Sequence, residues 1–218
     1  LVETNDGSHT LESPHHGVHY HSIHGAVQET RHVFIEAGLL EAAREQRRLS
    51  VLEIGFGTGL NAFMTLLAAE EHDLKVDYTT LEAFPIELET AERLNYIDLL
   101  QVPERAPLFR DLHACSWDTP QKLTASFTLT KRKMSFEDWQ SAARFHLVYF
   151  DAFAPNAQPH LWEAPILQSM YQSLFSGGLL TTYCAKGAFK RTLKSIGFTV
   201  EALPGPPGKR EMTRARKT

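Results

Sequence analysis

Three glycines at alternate positions, with a glutamate shortly before them, form the first pattern in the sequence that could do chemistry. The residues are Glu53, Gly55, Gly57 and Gly59. Glycine lets a backbone turn sharply and approach a ligand closely, because it has no Cβ. A dinucleotide fingerprint would place the third glycine one position later, and Glu53 would set a carboxylate beside the pyrophosphate. The pattern better suits a ligand with an ammonium and a sulfonium group, such as S-adenosylmethionine.

A second carboxylate, Glu82, follows the next apolar segment, residues 76–81. A carboxylate at the end of such a strand can accept hydrogen bonds from both hydroxyls of a ribose. Together with the glycines and Glu53, it favours a nucleoside ligand. The alternative is a tight turn between a strand and a helix, with carboxylates that only face solvent.

A third acidic residue ends the apolar run at residues 145–150 and opens the segment DAFAP at 151–155. The Asp151 carboxylate could hold an amine in line with a methyl donor and help remove its proton. Phe153 could stack on a flat substrate ring. Equally, Asp151 could cap a turn and Phe153 could be a core residue.

These side chains need a framework that brings several strand ends together, and the hydrophobic pattern provides one. Strands are predicted over residues 50–54, 76–81, 127–132, 145–150, 179–183, 198–203 and 211–216. Helices are predicted over residues 26–43, 60–69, 85–94, 162–175 and 189–196. Alternating strands and helices favour an α/β protein with a mostly parallel sheet and helices on both faces. In such sheets ligands bind beyond the carboxyl ends of the strands.

The composition is that of a globular protein, with 218 residues of which 43% are hydrophobic and 22% charged. The formal net charge of −4 excludes a protein that is basic over its whole surface. Two cysteines are too few for a disulfide framework, and a reducing cytoplasm is the simplest setting. No apolar run approaches the roughly 20 residues of a spanning helix, and we expect neither a membrane segment nor a signal peptide.

The opening of the chain is polar and rich in histidine, and we expect an N-terminal arm over residues 1–24 and a single domain over 25–218. Seven of the eleven histidines occur in the first 32 residues, at positions 9, 15, 16, 19, 21, 24 and 32. His19 and His21 could share one face of a metal site, but no carboxylate or cysteine accompanies them at a recognised metal spacing. We therefore expect surface histidines and no metal.

The C-terminal region is basic, with nine basic and two acidic residues between positions 186 and 218. A basic end on an acidic body suits a protein that draws RNA phosphates to one face. The segment KRK at 131–133 is expected to extend that face. The alternative is a solvated, partly frayed C-terminus.

Several segments form a specific combination: EIGFGTGLN at 53–61, FDAFAP at 150–155, PHLW at 159–162, TYCAKG at 182–187, KREM at 209–212 and ETRHVF at 29–34. Together they resemble the methyltransferase module of the MnmC family of tRNA wobble-uridine modification proteins. The resemblance runs from about Tyr20 to Arg214. It implies a class I, S-adenosylmethionine-dependent methyltransferase with a Rossmann-like, mostly parallel seven-stranded sheet. It also implies conversion of 5-aminomethyl-(2-thio)uridine at the tRNA wobble position to the 5-methylaminomethyl form.

The resemblance further implies roles for individual residues. Asp151 would be catalytic beside the transferred methyl group, and would also contact the cofactor. The other residues expected at the cofactor are Glu53, Gly55, Phe56, Gly57, Thr58, Gly59, Asn61, Glu82 and Ser135. Those expected at the substrate are Tyr20, Glu29, Arg31, Phe153, Pro155, Lys209 and Arg210.

The sequence departs from the family at two points. Met134 and Ser135 stand where the family has Gly-Asp, so the adenine would be contacted by the Ser135 hydroxyl or by backbone groups. The flavin-dependent oxidase domain of the bifunctional relatives is not in this sequence, so a separate enzyme would supply the aminomethyl group. Two other functions stay open: a methyl- or aminopropyltransferase for a small amine, which would need no basic face, and a nucleotide-binding module without catalysis.

Overall fold

The computed structural model describes residues 1–13, 17–140 and 143–218. A small antiparallel pair, β1 Val2–Glu3 and β2 His9–Thr10, precedes the main sheet. The strands of the main sheet are β3 Arg48–Ile54, β4 Lys75–Glu82, β5 Gln121–Lys122, β6 Phe127–Lys133, β7 Phe145–Phe150, β8 Leu174–Thr182, β9 Phe198–Pro204 and β10 Glu211–Lys217.

The main sheet has the order β5-β6-β4-β3-β7-β8-β10-β9. Strands β6, β4, β3, β7 and β8 are parallel neighbours, and the antiparallel strands lie at the two edges. The chain proceeds from β3 to one side and later returns to its other side as β7. The carboxyl ends of β3, β4 and β7 therefore meet where the strand order changes direction, which is where such sheets bind ligands.

Helices cover both faces of the sheet. They are α1 Ala26–Thr30, continued as a π-helix over Arg31–Leu40, then α2 Leu60–Glu71, α3 Leu88–Ala91, α4 Tyr96–Leu99, α5 Ala106–Ala114, α6 Ala164–Ser173 and α7 Gly187–Ile196. Helices α1, α2 and α5 share one apolar core with the sheet, and α6 and α7 share the other. In the described ranges, no helix is both long and apolar enough to cross a membrane.

The mostly parallel α/β fold agrees with the prediction, but the strand count does not, because the described sheet has eight strands rather than seven. The additional strand, β5, is only two residues long and pairs antiparallel with β6. Two residues cannot show the alternation by which a strand is recognised in a sequence.

Two predicted boundaries are wrong for local reasons. The helix predicted over residues 85–94 is reduced to α3, because Ala83 and Phe84 turn to line a cavity instead of leading into a helix. Residues 177 and 178 do not separate a helix from a strand, since β8 already begins at Leu174. Gly177 has a φ of 80° at an irregularity in the pairing of β7 with β8, a conformation that favours glycine.

The N-terminal segment is fixed to the rest of the chain. The backbone N–H of His9 donates to Asn95 Oδ1 at 2.8 Å, and the N–H of Gln28 donates to Asp6 Oδ2 at 3.0 Å. Leu11 is buried in the core that contains α1 and α2. The described part of the arm therefore packs against the rest of the protein. The division of the chain into an arm and a domain at residue 24 stays a prediction.

Candidate active site

A cavity of about 280 Å³ opens at the carboxyl ends of β3, β4 and β7. The glycine turn after β3 forms one side, and residues that follow β4, β6 and β7 form the others. Its lining residues are Tyr20, His21, Gly55, Phe56, Gly57, Glu82, Ala83, Phe84, Ser135, Phe136, Glu137, Asp151, Ala152, Phe153, Gln158, His160 and Leu161. The three acidic regions singled out in the sequence therefore converge on one place.

The turn between β3 and α2 depends on its glycines. Gly55, Gly57 and Gly59 have φ angles of 94°, 51° and 74°, a region in which side chains are strained. A Cβ at Gly57 would lie 2.8 Å from the ring of Tyr20, and one at Gly59 would lie 2.7 Å from His113 Nε2. The turn is thus held between the N-terminal arm on one side and α5 on the other.

Glu82 ends β4 and is almost fully buried. Its Oε2 accepts the N–H of Gly57 at 3.0 Å, and its Oε1 accepts the N–H of Phe84 at 2.8 Å. Each carboxylate oxygen has a further lone pair, so both can still accept a hydroxyl from a ribose. The side chain is thereby held in place at the cavity, and its role at a ribose stays a prediction.

Glu53 is in a different environment beneath the same turn. Its side chain is fully buried, and neither oxygen has a hydrogen-bond partner within the described residues. Burial, reinforced by the nearby charge of Asp151, raises the pKa of Glu53 well above its usual value, although Thr80 and Asn61 offset part of this shift. An uncompensated buried carboxyl fits a ligand that brings a positive charge, because burial without a partner is costly.

Asp151 follows β7 directly and is held from two sides. Its backbone N–H donates to the Ile54 carbonyl at 3.2 Å, and its Oδ2 accepts Asn61 Nδ2 at 2.8 Å. Asn61 is fixed in turn, because its Oδ1 accepts the Thr30 hydroxyl at 2.8 Å. Burial and, secondly, the charge of Glu29 raise the pKa of Asp151 to about 7. A carboxyl with such a pKa can exchange a proton near neutral pH.

Glu29 and Lys209, which lie 180 residues apart in sequence, form a largely buried ion pair close to Asp151. The Lys209 ammonium also lies 3.9 Å from the ring centroid of Tyr183, in a cation–π contact. The Tyr183 hydroxyl donates to the Ala152 carbonyl at 2.7 Å, next to Asp151. The structure thus brings Glu29 and Lys209, two of the residues predicted at the substrate, near Asp151, although neither lines the cavity.

Aromatic side chains form the outer wall of the cavity. The rings of Tyr20 and Phe153 meet edge to face, with centroids 5.1 Å apart. Burial, with a contribution from Glu82, raises the pKa of Tyr20 to about 12, so its hydroxyl stays neutral. Trp162 Nε1 donates to the Phe153 carbonyl at 2.8 Å and holds the loop after β7 in place.

Not all predicted residues reach the cavity. Arg31 lies beside a separate surface depression next to α2, and Arg210 is exposed in the turn between β9 and β10. The Thr58 hydroxyl lies 2.8 Å from His21 Nε2 and accepts the Tyr96 hydroxyl at 3.0 Å, so its side chain faces the body of the protein. The other predicted residues that do not line the cavity are Glu29, Glu53, Gly59, Asn61, Pro155 and Lys209. The roles assigned to all these residues stay predictions.

Sequence reasoning missed several lining residues. Phe84 and Phe136 follow β4 and β6, and Glu137 accepts the Ser135 hydroxyl and pairs with His160 Nε2 at 3.1 Å. Ser135 lies at the cavity, as expected, with this carboxylate beside it. The sequence offered one signal for Phe84, Phe136 and Glu137, namely their position. Each of them follows the end of a predicted strand by a few residues.

The expectation that the N-terminal histidines coat the surface is wrong for His21. This side chain is 9% exposed, and burial lowers its pKa to about 4, so the imidazole is neutral. His15 and His16 lie outside the described residues. Among those that are described, no group of three or more histidine, cysteine or acidic side chains could hold a metal ion.

The chain is similar to known methyltransferase and tRNA-modification proteins. A family model described as S-adenosyl-L-methionine-dependent methyltransferase matches residues 116–218. The tRNA 5-methylaminomethyl-2-thiouridine biosynthesis bifunctional protein MnmC of Burkholderia mallei is 33% identical over 97% of this chain, and that of Burkholderia pseudomallei is equally similar. The chain spans about a third of the length of these relatives, since it covers 34% of each.

Solved structures share the fold. The crystal structure of MNMC2 from Aquifex aeolicus has a TM-score of 0.75 at 24% identity and covers 99% of this chain, which in turn covers 69% of it. A Burkholderia thailandensis 1,6-didemethyltoxoflavin-N1-methyltransferase, solved with S-adenosylhomocysteine, has a TM-score of 0.50 at 16% identity and covers 83% of this chain, which covers 76% of it. The orphaned Glu53 carboxyl, the glycine turn and the fixed Glu82 fit the cofactor of these enzymes. Over nearly its whole length the chain is thus similar to part of the MnmC proteins, and its C-terminal part matches the S-adenosyl-L-methionine-dependent methyltransferases.

Proposed function

We propose that the protein methylates the primary amine of 5-aminomethyl-(2-thio)uridine at the wobble position of tRNA, producing 5-methylaminomethyl-(2-thio)uridine. The observation that carries the proposal is Asp151, a fixed carboxyl with a pKa of about 7 at the switch point of the sheet. The similarity of nearly the whole chain to the MnmC proteins supports the choice of substrate, because the names of those proteins specify this tRNA modification.

The chemistry requires a neutral amine that attacks a methyl group. When bound, S-adenosylmethionine supplies that methyl group on a positively charged sulfur. Asp151 accepts a hydrogen bond from the amine and keeps its lone pair directed at the methyl carbon. The new N–C bond would form as the S–CH3 bond breaks, which would release neutral S-adenosylhomocysteine. The methylated nitrogen would then carry one extra proton, which the Asp151 carboxylate would accept. Asn61 fixes the orientation of the carboxylate throughout.

The other residues would bind and enclose the reactants. Glu53 would compensate the positive amino group of the cofactor, and Glu82 would accept its ribose hydroxyls. The rings of Tyr20 and Phe153 offer a surface for a flat base, since stacking on aromatic side chains is how proteins commonly hold extruded bases. A substrate that already carries an aminomethyl group must come from a separate activity. A tRNA substrate would also place the protein in the cytoplasm.

The competing function is transfer to a small amine, which the same carboxyl could serve. It differs from the proposal in needing no contact with RNA outside the cavity. A nucleotide-binding module without catalysis is less well supported, because it would need no carboxyl that exchanges a proton near neutral pH, as Asp151 can.

The decisive experiment uses labelled S-adenosylmethionine and bulk tRNA from a strain that lacks this gene. We expect label in tRNA and, after digestion to nucleosides, in methylaminomethyluridine only. Bulk tRNA from a strain that has the gene is the matched control and should accept little label. Label found only in small amines would reject the tRNA substrate, and absence of cofactor binding in calorimetry would reject both enzymatic functions.

A further inference from the structure

We infer that four basic side chains of α7, its first residues and the β9–β10 turn form a contact surface for the phosphate backbone of the RNA substrate. This α7 ridge consists of Lys186, Arg191, Lys194 and Arg210. The inference rests on the proposed function, since it assumes that the nucleotide in the cavity belongs to an RNA chain. It concerns how that chain is held outside the cavity.

The structure divides the nine basic residues of the C-terminal region into two sets. Five of them are bound internally, and their partners are as follows. Lys190 pairs with Glu211 at 2.7 Å, Lys209 with Glu29, Arg214 with Glu201 at 2.7 Å and Arg216 with Glu41 at 3.5 Å, while Lys217 donates to the carbonyls of Tyr171 and Leu174 at 2.8 Å. These charges serve the fold, so they are poorly suited to neutralise phosphates.

The four residues of the α7 ridge are the remainder. All of them are exposed, and none has an ion pair with any of the residues that the structure describes. An exposed cation without a carboxylate partner keeps its full charge for a mobile anion. The chain as a whole is acidic, so a local basic surface stands out as a site of attraction for a polyanion.

The α7 ridge lies next to the cavity. Lys186 Nζ donates to Asn156 Oδ1 at 2.6 Å, and Asn156 belongs to the loop that contains Asp151 and Phe153. Arg191 folds back toward the start of α7, since a Cβ at Gly187 would lie 3.2 Å from its Nη1. Both charges are therefore close to the rim where a nucleotide would enter.

Arg210 extends the same surface across the β9–β10 turn. Its charge contributes to the lowered pKa of Glu211, which is paired with Lys190 of α7. Its neighbour Lys209 forms the ion pair with Glu29 described above. The start of α7 and the β9–β10 turn both lie at the carboxyl end of β8, where Thr182 pairs with Thr213. Lys186 and Arg210 are therefore at the cavity end of the sheet, and Lys194 lies farther along α7.

The expectation that KRK at 131–133 extends the basic face is wrong for Lys131. This residue is fully buried, where its ammonium lies 4.7 Å from the ring centroid of Trp117 and donates to the His113 carbonyl. Arg132 Nη1 lies 3.5 Å from Asp118 Oδ1, whereas Lys133 is exposed at the end of β6. Strand β6 is separated from β10 by β4, β3, β7 and β8, roughly 24 Å at the usual strand spacing, so Lys133 is not continuous with the α7 ridge.

The test compares two double variants of equal charge change. Lys186→Glu with Arg191→Glu reverses two charges of the α7 ridge, whereas Arg47→Glu with Lys75→Glu reverses two exposed charges near the amino ends of β3 and β4. Binding of unmodified tRNA is measured by fluorescence anisotropy at several salt concentrations, and methyl transfer by steady-state kinetics. Thermal unfolding and calorimetry with S-adenosylmethionine verify that each variant is folded and binds the cofactor.

We expect the ridge variant to bind tRNA at least about tenfold more weakly, with a higher KM for tRNA and a nearly unchanged kcat. The slope of log K against log salt should fall by about one to two, because each lost phosphate contact removes roughly 0.7 to 0.9. The control variant should show a much smaller change. If a ridge variant with glutamates does not fold, Lys186→Gln with Arg191→Gln gives the same test with a smaller effect.

Equal tRNA affinity, KM and salt slope in the ridge and control variants would overturn the inference while leaving the proposed function intact. Failure of the unaltered protein to methylate tRNA, despite binding the cofactor, would overturn the proposed function and this inference with it. The two failures are thus distinguishable by the unaltered protein alone.

Discussion

The two sides of the cavity treat their carboxyl groups differently. On the β4 side, both oxygens of Glu82 accept backbone N–H groups, so the carboxylate is satisfied within the protein. On the β3–β7 side, the carboxyl of Glu53 has no hydrogen-bond partner in the described part of the chain, and Asp151 has an elevated pKa. The hydrogen bonds to Glu82 fix the orientation of its side chain before a ligand binds. The carboxyls of Glu53 and Asp151, in contrast, lack a positive partner among the described side chains that compensates their charge, and a bound ligand could supply one.

This difference suggests a division of labour within one site. A neutral ribose needs an acceptor of fixed orientation, and Glu82 offers one at little cost to folding. A cationic ligand and a proton in transit need carboxyls whose charge is not already compensated. Such groups destabilise the empty protein, as is common where function and stability compete. Four predictions test the contrast.

The largest effect is expected at Asp151. Replacement by alanine should lower kcat by about a hundredfold or more, since a positioned proton acceptor is lost, while cofactor affinity changes little. Single-turnover methyl transfer and calorimetry measure the two quantities. Asp151→Asn is the matched control for shape, because it can still accept the Asn61 hydrogen bond. An unchanged rate in both variants would remove Asp151 from the mechanism.

The second prediction concerns stability against pH. The pKa of Asp151 rises from 3.8 in the unfolded chain to about 7 in the folded protein, so the folded state binds the proton more tightly. The contribution of Asp151 to stability must therefore fall as pH rises from about 4 to about 7, and the loss of this contribution is complete above that range. Asp151→Asn should be more stable than the unaltered protein at pH 8, by about 1–3 kcal/mol, but not at pH 4. Urea unfolding at both pH values measures this, and a constant difference would contradict the raised pKa.

The third prediction concerns Glu53. Glu53→Gln keeps the shape of the side chain but removes its charge, and cofactor affinity should fall about tenfold, which corresponds to about 1.4 kcal/mol. The cofactor-free variant should be as stable as the unaltered protein or more so, because an uncompensated buried acid is removed. Calorimetry and thermal unfolding give the two values. If Glu53→Gln were less stable than the unaltered protein and bound the cofactor normally, Glu53 would serve the fold as Glu82 does, and the proposed contrast between the two residues would be wrong.

The smallest effect is expected for Glu82→Gln in the cofactor-free protein. The amide can accept only one of the two backbone N–H groups through its single oxygen, so the variant should lose about 1 kcal/mol of stability. Thermal unfolding alongside Glu53→Gln makes the comparison direct. If both variants shifted the midpoint in the same direction by the same amount, the two sides of the cavity would not differ as described.

The strand ends could be predicted from the sequence because they combine two signals. The run at residues 145–150 is continuously apolar and stops at Asp151, and β7 has these bounds in the structure. Likewise, Glu53 and Glu82 are acidic residues within or at the end of apolar segments, which is unfavourable unless a strand carries them to a site. A position at a predicted strand end therefore indicated Glu82 and Asp151, whereas Phe84, Phe136 and Glu137, which lie in the connecting loops, were missed.

What the sequence could not show is the packing between distant segments. His21 occurs in a polar stretch, so nothing local indicates that its ring is buried against Thr58. Lys131 occurs in a basic tripeptide, yet the alternation of β6 places it on the buried face with Phe127 and Leu129. Arg31 occurs next to Glu29 in a family-like segment, but the helix turns it toward another surface. These outcomes depend on tertiary contacts that no short pattern contains.

The Thr58 hydroxyl connects the glycine turn to two other parts of the protein. It joins His21 of the arm to Tyr96 of α4, while Tyr20 covers the neighbouring Gly57. Tyr20 and His21 also line the cavity, so a ligand that contacts them would favour an ordered arm, and an ordered arm would favour that ligand by the same free energy. Loosening of residues 17–24 by proteolysis or truncation would then weaken ligand retention, and a retained ligand would shield those residues from a protease.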